Sequence, residues 1–272
     1  MPSANTPQSE SAESDQTQWR RRRFLEKTGV AVSSLATASS LAGCLDRREP
    51  SDSSAIEAIE ATFDALDDIE GYAVEIGGSV EARASGETST TVLDGEQRID
   101  ETARRSHAFV ETTTNRDEQY LDDETLYERC DSSRYTNVDE VWYPTETKVD
   151  WAKATLLGSQ QSLLEISEVY DRGTEDRFGG EARVVEFAVN PEKYDRYQRR
   201  LGGADENTPT PDTVSLTQWL VEDRPVRVRT EVERGSSFGP TVEEDIRYDV
   251  TYEPVSIELP DIVEDEDACP EI

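Results

Sequence analysis

Cys44 carries the most specific chemistry in the sequence. Its thiol follows Leu41-Ala42-Gly43, small residues that suit a peptidase, and a cysteine freed as a first residue can be acylated. Upstream, Arg21-Arg22-Arg23-Phe24-Leu25-Glu26-Lys27 sets paired guanidiniums before two apolar residues. That spacing is the address of the folded-protein export pathway, with Arg21, Arg22, Phe24 and Leu25 as its elements. The run from Thr28 to Ser40 holds no charge, yet it is too short and too rich in Ser and Thr for a spanning helix. Residues 1–43 therefore read as a twin-arginine signal peptide ending in a lipobox. Residues 44–54 read as a polar tether. The predicted location is the outer face of the cytoplasmic membrane, held through a lipid on Cys44.

Other candidate chemistry is weaker. Gly235-Ser236-Ser237-Phe238-Gly239 matches the nucleophile-elbow pattern, but that elbow needs a helix after it and a histidine later in the chain. Here Pro240 and a further strand follow, and the single histidine, His107, lies upstream. His107 has no second histidine to complete a zinc site, so it reads as a surface or half-buried strand residue. The acidic run from Asp261 to Asp267 lacks the alternating ligands and glycine of a calcium loop. No glycine-rich phosphate loop stands between a strand and a helix. These readings predict no catalytic residue, no metal and no cofactor. Cys130 and Cys269 remain as an even pair in a compartment that permits disulfides, to be read as a bridge or as two unrelated thiols.

Charge narrows the partners. The chain of 272 residues carries 60 Asp and Glu against 28 Lys and Arg, for a formal charge of -32. Nucleic-acid binding needs a basic footprint, which this balance excludes. The acidic residues alternate with Val, Ile, Leu, Tyr and Trp, which predicts a folded body with an acidic skin. Lysine is scarce, as in halophilic proteins, where salt shortens the Debye length to roughly 3 Å at 1 M and screens self-repulsion.

The elements that would position a site follow from periodicity. Ile56, Ile59, Phe63 and Leu66 predict a helix over 55–69, capped by Ser53 or Ser54 and stopped by Gly71. From Tyr72 the period becomes two. Strands are predicted over 72–80, 88–93, 97–100, 106–112, 119–122, 125–130 and 135–143, with a turn at Asp94-Gly95. A helix over 151–168, weakened by Gly158, interrupts them. Strands over 168–170 and 183–189 precede a helix over 191–201 opened by Pro191. The closing strands are 214–221, 225–233 and 244–252. In these, Val226, Val228, Thr230 and Val232 share one face, as do Ile246, Tyr248, Val250 and Tyr252. Trp142, Trp151 and Trp219 read either as sheet core or as pocket lining, the core being favoured.

This order of lipobox, tether, helix, long meander, helical plug and closing strands resembles the lipoprotein-carrier (LolA-like) proteins and the mycobacterial lipid-binding lipoproteins. The closing segment Val214-Ser215-Leu216-Thr217-Gln218-Trp219-Leu220-Val221-Glu222-Asp223-Arg224-Pro225-Val226-Arg227-Val228 is similar to their Trp strand, acidic turn and Pro strand. Glu118-Gln119-Tyr120, Tyr127, Tyr135 and Trp142 resemble a pattern of haloarchaeal lipoproteins. The resemblance covers most of residues 55–260. It implies an α+β fold: a curved antiparallel sheet, or half-open β-barrel, with about three helices over its concave face. One domain over 55–262 and an acidic tail over 263–272 complete the organisation. One-sided apolar stripes on such a sheet need cover. Any part that three short helices leave bare would form a groove lined by Val74, Ile76, Phe187, Val226, Val228, Ile246, Tyr248 and Val250, suited to acyl or isoprenoid chains. The alternative is a packed interior without a ligand, in a structural or accessory surface lipoprotein.

Overall fold

Apolar residues at three- and four-residue spacing wind Ser53–Leu66 into helix α1, which buries Ala55, Ala58, Ile59 and Thr62. The computed structural model describes residues 51–84, 86–113, 115–130, 141–148, 150–200, 208–235 and 241–264. The export signal, Cys44, Cys269, the end of the acidic tail, and Ser236 to Gly239 of the elbow-like motif lie outside the described residues. The folded unit begins at Asp52. Residues 52–54, expected as tether, already belong to it. The Asp52 backbone N–H donates to the Val169 carbonyl at 2.9 Å, and its carboxylate accepts from the Asp171 N–H at 3.1 Å. That carboxylate occupies the cap position of α1 without capping it. The helix stops at Leu66, before Gly71 opens the first strand.

Period-two patterning then builds β1 (Gly71–Ala84), β2 (Glu87–Asp100), β3 (Arg105–Thr112), β4 (Arg116–Asp122), β5 (Thr125–Arg129) and β6 (Val141–Lys148). The predicted turn at Asp94-Gly95 is absent. Strand β2 runs through it because Glu75, Ile76 and Gly77 of β1 pair with Glu96, Gly95 and Asp94 without interruption. The middle helix is two pieces, α2 (Trp151–Ala154) and α3 (Leu156–Leu164). The break falls at Thr155 and not at Gly158. Thr155 is extended, and its hydroxyl accepts from the Gly158 N–H, so it caps a new helix and interrupts the old one. Strands β7 (Ser167–Arg177) and β8 (Gly180–Val189) form a hairpin, so β7 is far longer than expected. Its turn, Phe178-Gly179, holds φ at 58° and 80°, the left-handed pair that matches strand twist in two-residue hairpins. Helix α4 (Pro191–Arg200) begins at Pro191, and Asn190 Oδ1 accepts from the Lys193 N–H at 3.0 Å. Strands β9 (Thr213–Val221), β10 (Arg224–Arg234), β11 (Thr241–Thr251) and β12 (Asp261–Ile262) close the series.

The strands form one sheet in the order β12-β6-β5-β4-β3-β2-β1-β11-β10-β9-β8-β7. Every described pair is antiparallel except β12 with β6. The sheet is curved and does not close on itself, and the helices lie on its concave face. This is the α+β architecture expected. Two glycines let neighbouring strands approach where a side chain would not fit. A Cβ on Gly78 would lie 2.4 Å from the Asp245 carbonyl oxygen, and one on Gly95 would lie 2.3 Å from that of Phe109. Both glycines face the concave side, so neighbouring backbone occupies the space a side chain would need. Gly78→Ala and Gly95→Ala are each expected to destabilise the fold by about 1–3 kcal/mol through overpacking, read as a lower urea midpoint. Gly77→Ala is the control, since its Cβ would meet only the movable Arg247 guanidinium at 3.3 Å. Unchanged midpoints for both test variants would contradict this close approach.

The outer face matches the acidic composition. On β10, β11 and β1, Arg229 grips Asp245 through two 2.8 Å bonds, Arg83 pairs with Glu243 at 3.0 Å, and Arg247 pairs with Asp249 at 3.0 Å. Such exposed pairs each contribute little to stability. Their effect is to set cation against anion on a face that would otherwise repel itself. No helix among the described residues is long and apolar enough to cross a membrane.

Candidate functional site

The apolar stripes predicted from sequence meet on the concave face, but they divide by depth. Val74, Phe187, Val228 and Val250 are buried. Val74 and Val250 join Tyr72, Ile99, Leu121, Trp151, Leu156 and Leu157 in one core cluster. Helices α2 and α3 cover that end of the sheet. Trp151 donates its indole N–H to Glu101 at 3.0 Å, Gln97 donates to the Ala154 carbonyl at 3.2 Å, and the Leu157 N–H donates to the Tyr72 hydroxyl at 3.3 Å. The covered residues are core.

Ile76, Tyr248 and Ile246 are half-buried. Register places them in two adjacent rows across the sheet. One row runs Tyr248, Ile76, Gly95, Val110, and the next runs Ile246, Gly78, Leu93, Thr112. Ile76 and Tyr248 pack against the core cluster at its margin. The two glycines leave the floor of these rows without side chains, between flanking Ile, Leu and Val. The result is a shallow apolar strip across β11, β1, β2 and β3, beside the helix-covered core. Sequence reasoning missed Leu93 and Val110 because it split β2 in two and did not follow β3 across the sheet. It missed the role of Gly78 and Gly95 because a missing side chain leaves no apolar signal.

Val226 belongs elsewhere. Pro225 pairs with Leu220 but Arg227 pairs with Trp219, so Val226 is the extra residue of a bulge. It packs with Ala182, Val184 and Trp219 on the outer face. The strict alternation assumed for β10 fails at that one residue. Trp219 is held there by its indole N–H to Glu175 at 3.1 Å. Trp142 also faces outward, edge-on to Tyr120 at 4.9 Å, so the three tryptophans line no common pocket. His107 is half-buried on the same outer face, as expected. Its Nε2 lies 2.8 Å from Glu118 Oε1, and its ring stacks on Tyr120 at 4.2 Å. Among the described residues no three His, Cys, Asp or Glu are placed to hold a metal ion. Cys130 is buried at the end of β5, where its N–H donates to the Val141 carbonyl at 2.9 Å. It is disulfide-bonded.

The tyrosines of this face carry an electrostatic signature of burial. The Tyr248 phenol is pushed up to about 12 by burial first, then by the nearby Tyr194 and Glu244. Tyr72 and Tyr252 are also raised, burial again leading. A raised phenol holds its proton longer in the folded state than in the unfolded one. Its stabilisation is therefore complete below about pH 10 and is lost as pH rises from there toward the folded value. Urea unfolding from pH 8 to 11.5 is expected to show a falling midpoint above about pH 10. A flat profile would place these rings in water.

Solved structures with a similar arrangement include the Mycobacterium tuberculosis lipoprotein LppX, at 13% identity and a TM-score of 0.44, matched over 76% of this chain and 100% of that one. A domain from Vibrio parahaemolyticus named for outer membrane lipoprotein sorting matches at 12% identity and a TM-score of 0.23, over 75% of this chain and 94% of that one. A DUF1329 family protein from Desulfovibrio piger matches at 10% identity and a TM-score of 0.20, over 73% and 93%. All three scores lie below 0.5, and the site is interpreted from this chain's own geometry. No family model matches the chain, and no curated protein matches it by sequence.

Proposed function

We propose that this chain is an exported lipoprotein, anchored through a lipid on Cys44 at the outer face of the cytoplasmic membrane, which holds an apolar ligand on its concave face. The supporting observation is the strip of Ile76, Leu93, Val110, Ile246 and Tyr248 over a glycine floor. It is apolar, only half-buried, and continuous with a core that helices cover elsewhere. Acyl or isoprenoid chains suit such a surface because they need area and few polar contacts. The signal-peptide and lipobox residues support export and anchoring, and the acidic, lysine-poor composition supports a halophilic setting. No catalytic role is assigned to any residue.

The burial of Val74, Phe187, Val228 and Val250 favours a second reading, a structural surface lipoprotein with a filled core. One experiment separates the two. Uptake of a fluorescent long-chain lipid is measured for wild type, Ile246→Trp and Val228→Trp. With a ligand strip, Ile246→Trp blocks uptake with little loss of stability. Val228→Trp instead costs about 1–3 kcal/mol through overpacking. Absence of uptake by wild type, with both variants destabilised, leaves the structural reading.

A further inference from the structure

One row beyond the apolar strip, on the same face, stands a charged pair whose arginine is buried and whose glutamate is half-buried. Glu244 lies opposite Val80 of β1 and Val232 of β10. Arg234 follows Val232 by two residues and reaches back, its Nη1 donating to Glu244 Oε1. Arg234 is only 8% exposed, and its Nε–H is buried with no acceptor. Tyr194, brought over by α4, is 6% exposed; its phenol is raised by burial first and then by Glu244, while Arg234 lowers it, so it lies within the field of both charges. Ile246 forms the near end of the strip, and Tyr248, one row further on, is raised by burial first and then by Tyr194 and Glu244. An apolar trough thus ends at an internally balanced ion pair, two phenols and one donor left without an acceptor.

Resting on the proposal that the strip holds an apolar chain, we infer that this corner receives the polar end of that ligand and selects a neutral oxygen group, an alcohol, ester or ether, over a carboxylate or phosphate. Glu244 already balances the Arg234 charge. An anionic head would bring a second negative charge beside Glu244 in a poorly hydrated place, where charge without a partner is costly. A neutral oxygen satisfies the Arg234 Nε–H without disturbing the pair, and a buried donor left unmade is itself unfavourable. The spacing fits one molecule. Arg234 pairs with Val242 and its side chain reaches back to Glu244, which lies one two-residue step of about 7 Å from Ile246 and two such steps from Tyr248. A head at the Arg234 guanidinium therefore leaves its chain along Ile246 and then Tyr248.

The test uses the full chain and two twelve-carbon probes with the same fluorophore at one end. The other end is a free carboxylate or its methyl ester. Wild type at pH 8 is expected to bind the ester about ten-fold tighter than the carboxylate. Glu244→Gln leaves Arg234 as an unbalanced cation, and the preference should turn toward the carboxylate. The double variant Arg234→Met with Glu244→Met removes both charges together and should bind the two probes about equally while retaining affinity for the chain. Should one variant fail to melt cooperatively, the other carries the comparison with wild type. Equal or tighter binding of the carboxylate by wild type overturns the inference but leaves the apolar strip standing. So does a preference that both variants retain. Failure of wild type to bind either probe removes the strip as a ligand site and this inference with it.

Discussion

Replacing Cys44 by serine is expected to abolish lipid attachment and yield uncleaved or released protein. A serine hydroxyl does not replace the thiol in the acylation that we propose at the lipobox, so the lipid would be lost. Membrane attachment through chains alone depends on the apolar length buried, each methylene adding about 0.8 kcal/mol. Loss of the lipid is therefore close to all-or-none. Replacing Arg21 and Arg22 by lysine acts one step earlier. The charge is kept, but the planar guanidinium pair that we propose an export receptor reads is lost, so precursor should accumulate in the cytoplasm. Fractionation combined with intact mass distinguishes the two outcomes. A Cys44→Ser protein that matures and sediments with membranes like wild type would show that the thiol is not the anchor.

The second large effect is expected from the Cys130 bridge, which we propose is made to Cys269. Cys130 closes β5 beside the start of β6, and β12 lies along β6 in parallel, Val263 donating to the Trp142 carbonyl at 2.8 Å. The last described residues are thus delivered to the sheet edge where Cys130 is buried. A loop of this length removes enough unfolded-state freedom to contribute about 4–5 kcal/mol on the chain-entropy model, the upper figure for such a bridge. Cys269→Ser is expected to lower the urea midpoint accordingly, and adding reductant to wild type is expected to reproduce most of that loss, since it breaks the same bridge. Thiol counting under denaturing conditions without reductant gives the direct check. Two free thiols in the exported protein would refute the pairing.

The strip was half legible in the sequence. Period-two alternation marked Ile76, Ile246 and Tyr248 as facing one way, because successive strand side chains point to opposite sides. Alternation reports a face and carries no information on what covers it, so the same rule gave the same standing to Val228 and Val250, which are buried. It also assumes an unbroken pleat. The bulge at Val226 inserts one residue and sends that side chain outward. At Asp94-Gly95 the turn propensity was real but lost to the hydrogen bonds that β1 and β3 supply on either side.

By itself, then, the sequence determined what depends on neighbours along the chain: the acidic skin, the helix at Pro191 and the stripes of the closing strands, with the proposed export address and lipobox read from the same local spacing. Only the tertiary structure decided which stripe is core and which is strip, how Gly78 and Gly95 let neighbouring strands approach, and how Arg234, Glu244, Tyr194 and Tyr248 come to share one corner. Tyr194 is distant in sequence from the other three, and the four come from β10, β11 and α4. Their proximity is set by strand register and by the packing of α4 on β9, which arise from cooperation over the whole sheet and leave no local periodic trace.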